Sequence, residues 1–214
     1  MGGYPLVVTI FGASGRTGVL LVEGALRAGH QVKAFVRDPE KLPLADTRLE
    51  LVQGDAKNEA DVARAAEGAD AVLSALGHTK TSAKDIQTVA TAYIIRAMKT
   101  AGVTRLISLT GAGVKAPQDQ PKVIDRVFGV LLATFARSVI KDAEAHAELI
   151  RKSGLEYVLV RGPRLTDGPY TGSYKLGFIG KESGTQASRA DVADFMLKQL
   201  TSDAWLGKAP LVSS

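Results

Sequence analysis

A glycine-rich segment near the amino terminus has the residue types and spacing to bind a phosphorylated ligand. Residues 12–18 read Gly-Ala-Ser-Gly-Arg-Thr-Gly and follow an apolar stretch typical of a buried strand. In such a turn the first glycine permits a tight bend, the second lets the backbone approach a pyrophosphate, and the third allows close helix–strand packing. Free N–H groups at the start of the next helix would bind the phosphates. The predicted cofactor-binding residues of this turn are Gly12, Ser14, Gly15, Arg16, Thr17 and Gly18.

The residue at the end of the second predicted strand distinguishes NAD from NADP. An acidic side chain there accepts hydrogen bonds from ribose hydroxyls, whereas a basic one pairs with a 2′-phosphate. Arg37 occupies this position, and Arg16 could close on the same phosphate, so the pattern favours NADP(H). Asp38 comes next and could take the carboxylate role instead. As a further alternative, both arginines could be solvated surface charges.

Further cofactor contacts are expected where the third and fourth predicted strands end. Asp55 could accept a hydrogen bond from the adenine amino group, or it could be a turn or helix N-cap residue. Small residues after the fourth strand would let the ribose and pyrophosphate lie close to the backbone. The cofactor-binding residues predicted at these two strand ends are Asp55, Ala56, Ser74, Leu76 and Gly77.

The proton-relay pair of ordinary short-chain dehydrogenases, Tyr-x-x-x-Lys, is absent from the sequence. The residues four positions beyond the five tyrosines are Val8, Ala97, Arg161, Tyr174 and Phe178, and none of them is lysine. Alcohol and ketone chemistry is therefore disfavoured. The pattern leaves a hydride transfer that needs positioning but little side-chain acid–base help, or nucleotide binding without a reaction.

Apolar strands alternate with helical runs along the chain, and this alternation predicts the scaffold for these residues. Strands are predicted at 6–11, 31–36, 49–52, 71–76, 105–109 and 156–160, and helices at 59–67, 84–101, 123–152 and 189–200, besides the one that follows the glycine turn. The predicted fold is α/β: a single-domain, Rossmann-like, doubly wound parallel sheet with helices on both faces. Residues 1–214 are expected to form this one NAD(P)-binding domain, with 162–188 as a small loop or hairpin region on the substrate side.

Composition excludes several other classes of protein and site. The 214 residues contain no cysteine and three histidines, which excludes a disulfide framework and thiol catalysis, and no metal site is expected. The 27 Lys+Arg exceed the 22 Asp+Glu without a long run of like charges, so neither nucleic acid nor membrane is an expected partner. With no secretory signal pattern and no long apolar stretch, a soluble cytoplasmic protein is expected.

Several of these segments together resemble the atypical short-chain dehydrogenases, the NAD(P)H-binding, NmrA-like proteins that lack the Tyr–Lys pair. The resemblance rests on residues 12–18, 36–38, 54–55, 153–155 and 161–169. The continuation 171–174 is most similar to the biliverdin reductase B branch of NADPH-dependent flavin reductases. The resemblance implies a monomer that passes a hydride from NADPH to N5 of FMN, FAD or riboflavin, or to a linear tetrapyrrole such as biliverdin.

The resemblance also implies which residues lie beside the nicotinamide. A small hydroxyl residue follows the fifth strand in this family; Thr110 fits that position best, and Ser108 lies in the same stretch. Arg164 stands where relatives carry a histidine after the sixth strand, and it could bind a flavin phosphate or a tetrapyrrole propionate. These three are the predicted catalytic residues, although Thr110 could instead only cap the strand end.

Histidine and aromatic side chains add candidates, and two functions stay open. His78 follows Gly77 at the expected ligand edge and is the better titrating candidate, whereas His146 is more typical of a packing residue. The aromatic residues that could border the substrate are Phe128, Tyr170, Tyr174 and Phe178, with core packing the favoured role for Phe128. The chain could be an NADPH-dependent flavin reductase, or an NADP(H)-sensing regulatory protein without turnover.

Overall fold

An eight-stranded sheet forms the centre of the fold in the computed structural model, which describes residues 4–79, 82–120, 137–180 and 184–214. Its strands are β1 (Val7–Phe11), β2 (Gln31–Val36), β3 (Leu49–Gln53), β4 (Ala71–Ser74), β5 (Arg105–Gly111), β6 (Glu156–Gly162), β8 (Lys175–Gly177) and β10 (Leu211–Ser213). They lie in the order β3-β2-β1-β4-β5-β6-β10-β8. Neighbours from β3 to β10 are parallel, and β8 is antiparallel to β10. The predicted doubly wound parallel sheet is confirmed.

Five α-helices within the same residues cover the two faces of the sheet. They are α1 (Arg16–Arg27), α2 (Glu59–Ala66), α3 (Ile86–Ala101), α4 (Arg137–Arg151) and α5 (Arg189–Lys198). Helix α1 packs against α5, whereas α3 packs against both α2 and α4. Strand β1 contributes Val8 and Ile10 to the apolar layer beneath α1 and Phe11 to the opposite layer, as the alternation of strand side chains requires. None of the helices described here combines the length and the apolar character needed to cross a membrane.

Short-range signals set the ends of most elements. The side chain of Asn58 accepts hydrogen bonds from the first turn of α2, and Ser188 does the same for α5. Gly102, with a φ of 72°, ends α3. Strand β5 runs two residues further than predicted, because Thr110 and Gly111 continue the pairing with β6. Of the predicted helix 123–152, residues 137–151 form α4, and 121–136 lie outside the described residues.

The glycine-rich region 162–188 pairs differently from the predicted hairpin. Strand β7 (Arg164–Thr166) pairs in parallel with β9 (Gln186–Ser188) to form a separate two-stranded sheet. Strand β8, which lies between them in sequence, pairs with the carboxyl-terminal strand β10. The hairpin prediction is therefore wrong for the described part of this region. Its strands find partners that are distant in sequence, which turn residues alone do not reveal.

Candidate functional site

The turn between β1 and α1 has the backbone of a phosphate-binding loop. Gly12 adopts a φ of 76°, and a Cβ there would lie 2.9 Å from the carbonyl group of Ala75. A Cβ on Gly18 would overlap the carbonyl oxygen of Gly12. Because Gly15 is the N-cap of α1, no side chain caps the first N–H groups of this helix. These N–H groups and the positive end of the helix can therefore bind an anion, and the turn fits a dinucleotide diphosphate.

A cavity of about 620 Å³ lies beside this turn at the carboxyl ends of the strands. It lies where the strand order reverses between β1 and β4, the usual ligand position in sheets of this topology. Its volume is within the range of small-molecule sites. The predicted site residues that line it are Ser14, Gly15, Arg16, Thr17, Leu76, Gly77 and Thr110.

Two hydroxyl groups near the end of β5 have no hydrogen-bond partner among the described residues. Ser108 Oγ and Thr110 Oγ1 are both buried and unpartnered. Thr110 lines the cavity, whereas Ser108 does not. A buried unpaired hydroxyl costs free energy unless a ligand or water satisfies it. Thr110 therefore has a buried oxygen without a partner beside the cavity, and because β5 continues to Gly111, it does not cap the strand end.

Arg189 is a cationic residue of the cavity that the sequence analysis did not identify. It is the first residue of α5, and its side chain is 11% exposed. Its Nη1 donates to Asp167 Oδ1 at 2.6 Å. A cation at the start of a helix is unfavourable unless a nearby anion offsets it. An arginine at the start of a predicted helix was the signal in the sequence that this side chain needs an anionic partner. That partner is Asp167.

The end of β2 leaves Arg37 exposed and uses Asp38 for local structure. Asp38 Oδ1 accepts the backbone N–H of Glu40 at 3.2 Å, and Oδ2 lies 3.4 Å from Nζ of Lys41. Asp38 thus caps a short 3-10 helix, and its alternative role at the ribose stays a prediction. Arg37 forms no ion pair within the described residues, and it does not line the cavity that Arg16 lines.

The remaining predicted cofactor residues surround the ends of β3 and β4. Asp55 Oδ1 accepts the backbone N–H of Lys57 at 2.9 Å, so Asp55 is a turn residue, and its contact with adenine stays a prediction. Ala56 is buried, as is Ser74, the last residue of β4. Leu76 accepts a hydrogen bond at its carbonyl oxygen from Gln87 Nε2, at 3.0 Å, which fixes the segment after β4.

The predicted role of Arg164 at the substrate stays a prediction. Arg164 is the exposed first residue of β7 and does not line the cavity, whereas its neighbour Leu165 does. Adjacent side chains of a strand point to opposite faces, so only one of the two can face the cavity. A different cation, Arg189, lines the cavity on this side.

Three of the four aromatic candidates, Tyr170, Tyr174 and Phe178, do not line the cavity. Phe178 packs against the ring of Trp205, with the centroids 6.0 Å apart. The hydroxyl of Tyr174 donates a hydrogen bond to Asp194 of α5, and burial raises the pKa of Tyr174 to about 12. Tyr170 lines a separate groove between α1 and α5, and Phe128 lies outside the described residues. None of these rings is therefore a stacking partner in the described structure.

The two histidine candidates differ in their surroundings. His78 lines the cavity, and its Nε2 lies 2.9 Å from a carboxylate oxygen of Asp142. His146 is buried in the core, with Nδ1 2.7 Å from the hydroxyl of Thr91. Burial lowers the pKa of His146 to about 4, so it is a neutral packing residue near neutral pH.

Known proteins share parts of this sequence. The sequence model of an NAD(P)H-binding family matches residues 12–203. An uncharacterised chloroplastic protein of Arabidopsis thaliana is 27% identical over 175 residues, which cover 78% of this chain and 61% of that protein. The chain spans less than two thirds of the length of each of three curated relatives that it matches.

Solved structures share the fold over nearly the whole chain. A short-chain dehydrogenase/reductase from Veillonella parvula in complex with NADP has a TM-score of 0.79 at 19% identity, covering 98% of this chain and 94% of that one. ChuY, an anaerobillin reductase from Escherichia coli, has a TM-score of 0.78 at 22% identity, covering 97% and 96%. At these identities the likeness shows the fold alone. Because the family match extends over most of the chain, this protein belongs to the NAD(P)H-binding family.

Proposed function

We propose that this protein is an NADPH-dependent reductase of flavins. FMN, FAD and riboflavin are the proposed acceptors, and biliverdin is a further one. The observation that carries the proposal is the cavity beside the glycine turn, with the unpartnered hydroxyl of Thr110 in its wall. No tyrosine is among the described residues that line this cavity, which favours an acceptor that needs no Tyr–Lys relay. When bound there, NADPH supplies a hydride.

The cofactor is proposed to lie across the glycine turn. The first N–H groups of α1 bind its diphosphate, and Gly18 keeps the helix close enough for them to do so. Arg37 binds the 2′-phosphate and so selects NADPH over NADH. Thr110 holds the nicotinamide end through its free hydroxyl.

The chemistry of the cavity suits an electron-poor ring as acceptor. Apolar side chains of Leu109, Val114, Ile140 and Leu165 form much of its surface, and a planar ring can lie against them. Arg16, His78 and Arg189 also line it and can carry positive charge. Preorganised cations stabilise the negative charge that an acceptor gains with a hydride. The fold shared with an anaerobillin reductase supports reductase chemistry of this kind.

Steady-state oxidation of NADPH tests the proposal. Purified protein at catalytic concentration is mixed with NADPH and, separately, with FMN, FAD, riboflavin or biliverdin, and the absorbance of NADPH is followed. We expect oxidation that depends on both protein and acceptor. Gly18→Ala should abolish it by distorting the turn, whereas Gly113→Ala, where an added Cβ meets nothing within 4 Å, should retain NADPH binding. NADPH binding without oxidation by any acceptor would instead indicate a nucleotide-sensing regulator.

A further inference from the structure

We propose that His78 is a further catalytic residue, which gives a proton to the hydride acceptor, and that Asp142 positions it. This inference rests on the proposed reductase function. The observation behind it is a contact between two side chains at the cavity. His78 belongs to the segment after β4, and Asp142 belongs to helix α4. The sequence shows His78 at the ligand edge, but not the carboxylate beside it.

The burial of His78 determines which of its ring nitrogens can reach a ligand. The side chain is 17% exposed, but its Nε2 is buried. The exposed area therefore belongs to other atoms of the side chain, which lines the same cavity as Thr110. Nδ1 forms no hydrogen bond with a residue of the described ranges, and the proposal assigns this nitrogen to the bound acceptor.

Asp142 is a buried carboxylate held by helix α3. Its side chain is 2% exposed. Oδ2 accepts the backbone N–H of Gln87 and Oδ1 that of Thr88, each at 2.9 Å, and Oδ1 also accepts the Thr88 hydroxyl at 2.5 Å. All of these groups are donors, and an ionised carboxylate accepts all of them. The positive end of α3 stabilises the same charge.

The contact between His78 and Asp142 determines which ring nitrogen faces the carboxylate. Nε2 lies 2.9 Å from Oδ2, although its N–H is not aligned for a hydrogen bond, so the contact is electrostatic. The carboxylate keeps one proton on Nε2, which faces it, when the ring gives up the proton on Nδ1. Nδ1 is therefore the donor toward the cavity.

Proton transfer from His78 balances the charge of hydride transfer. The acceptor receives a hydride, with its electron pair, and gains one negative charge. His78 then releases the Nδ1 proton to that anion and becomes a neutral ring with its proton on Nε2. Solvent returns a proton to Nδ1. In sum, NADPH, one proton and the oxidised acceptor become NADP⁺ and the reduced acceptor, with two electrons transferred.

The other polar side chains of the cavity do not replace His78 in this role. Arg16 and Arg189 stay protonated at neutral pH, so they can stabilise charge but cannot supply a proton. The hydroxyl of Thr110 is neutral and a far weaker acid than an imidazolium. Among the described residues that line the cavity, His78 alone carries an imidazole, the side-chain group suited to giving and taking up a proton.

Turnover of His78→Ala tests the catalytic role. We expect kcat with FMN to fall about a hundredfold, the usual size of a lost general acid, while the affinity for NADPH stays within about twofold. Free imidazole in the buffer should restore part of kcat, because it can enter the space left by the ring. A variant as fast as the wild type, or one that imidazole does not accelerate, would contradict the role of His78.

A double-mutant cycle tests the positioning role of Asp142. Asp142→Asn should lower kcat when His78 is present and should have no further effect in His78→Ala, because Asp142 acts through that ring. An equal loss in both backgrounds would show that Asp142 acts only on the fold. Thr88→Val is the matched control, since it removes one donor to Asp142 and leaves the charge.

A binding measurement gives an outcome that does not depend on turnover. In protein labelled at the histidine ring carbons, FMN added together with NADP⁺ should shift the NMR signal of His78 and leave that of His146 unchanged. FMN binding without a shift of His78 would contradict the inference. If the wild type oxidises no NADPH with any acceptor, the proposed function fails and this inference fails with it. If the wild type is active and His78→Ala matches it, the inference alone fails.

Discussion

Arg16 of the glycine turn forms an ion pair with Asp167, whose carboxylate Oδ2 lies 3.3 Å from Nη1 of the arginine. The second oxygen of the same carboxylate binds Arg189 at 2.6 Å. One carboxylate thus forms ion pairs with two guanidinium groups at the edge of the cavity. An anionic ligand that uses these arginines must compete with Asp167.

Removing the charge of Asp167 should strengthen NADPH binding. In Asp167→Asn we expect the affinity for NADPH to rise by about two- to fivefold, because exposed ion pairs are worth at most about 1 kcal/mol. Fluorescence titration of NADPH measures the change. Asp203→Asn is the matched control, since it removes an exposed partner of Arg105, which lies at the amino-terminal end of β5, away from the cavity. Weaker binding in Asp167→Asn would mean that the carboxylate holds the arginines in place instead of competing.

Reversing the charge of Arg37 should change the preference between cofactors. Arg37→Glu is expected to weaken NADPH about tenfold or more and NADH much less, because a charge-assisted bond to the 2′-phosphate is lost. Calorimetric titration with both nucleotides measures this. Lys99→Glu makes the same charge change on the exposed last turn of α3 and should affect neither. Equal losses for NADPH and NADH in Arg37→Glu would show that Arg37 does not select the phosphate.

The buried His146 should make the fold less stable in mild acid. Burial lowers its pKa from 6.5 to about 4 in the folded protein. Between these two pH values the unfolded chain therefore binds a proton at this residue more readily than the folded chain does. Stability then falls as the pH falls below about 6.5, and the contribution of this residue between about pH 7 and pH 5 is about 2 kcal/mol.

Urea unfolding at the two pH values measures that contribution. The wild type should lose about 2 kcal/mol more than His146→Gln over the same interval, because glutamine has no proton to gain. The other acid-sensitive groups are present in both proteins and cancel in the comparison. The same pH dependence in both would contradict the buried, neutral state of His146.

The ion pair between Asp119 and Arg161 should contribute to stability through its burial. Arg161 is fully buried, and its two terminal nitrogens donate to the two oxygens of Asp119 at 2.7 and 2.8 Å. Asp119→Ala leaves that cation without its partner, so we expect a loss of about 3 kcal/mol or more in the free energy of unfolding. Glu59→Ala, which removes the partner of the exposed Arg96, should cost less than about 1 kcal/mol. Similar losses in the two variants would contradict the argument from burial.

The sequence was sufficient where the controlling interactions are local. The strand before Gly12, the turn to Gly18 and the helix end at Gly102 follow from apolar runs and glycine positions that lie within a few residues of one another. The parallel direction of the strands follows from the alternation with helices. The fold and the glycine side of the site could therefore be predicted.

The opposite side of the cavity depends on long-range contacts and could not be predicted in the same way. Asp142 binds the backbone of Gln87, 55 residues away in sequence, and nothing near Asp142 indicates this partner. Arg189 reaches the cavity because Asp167 offsets its charge at the start of α5. The assignment of Arg164 to the site follows from the family resemblance alone, and the direction of a strand side chain depends on register.

Anaerobic single-turnover mixing of the protein–NADPH complex with FMN tests the central claim most directly. The proposed function predicts that NADPH oxidation and flavin reduction occur together, in equal amounts, and more slowly when the transferred hydrogen of NADPH is deuterium. If tight NADPH binding were accompanied by no flavin reduction, or if the isotope had no effect on a reaction shown to be limited by chemistry, direct hydride transfer in this cavity would be contradicted.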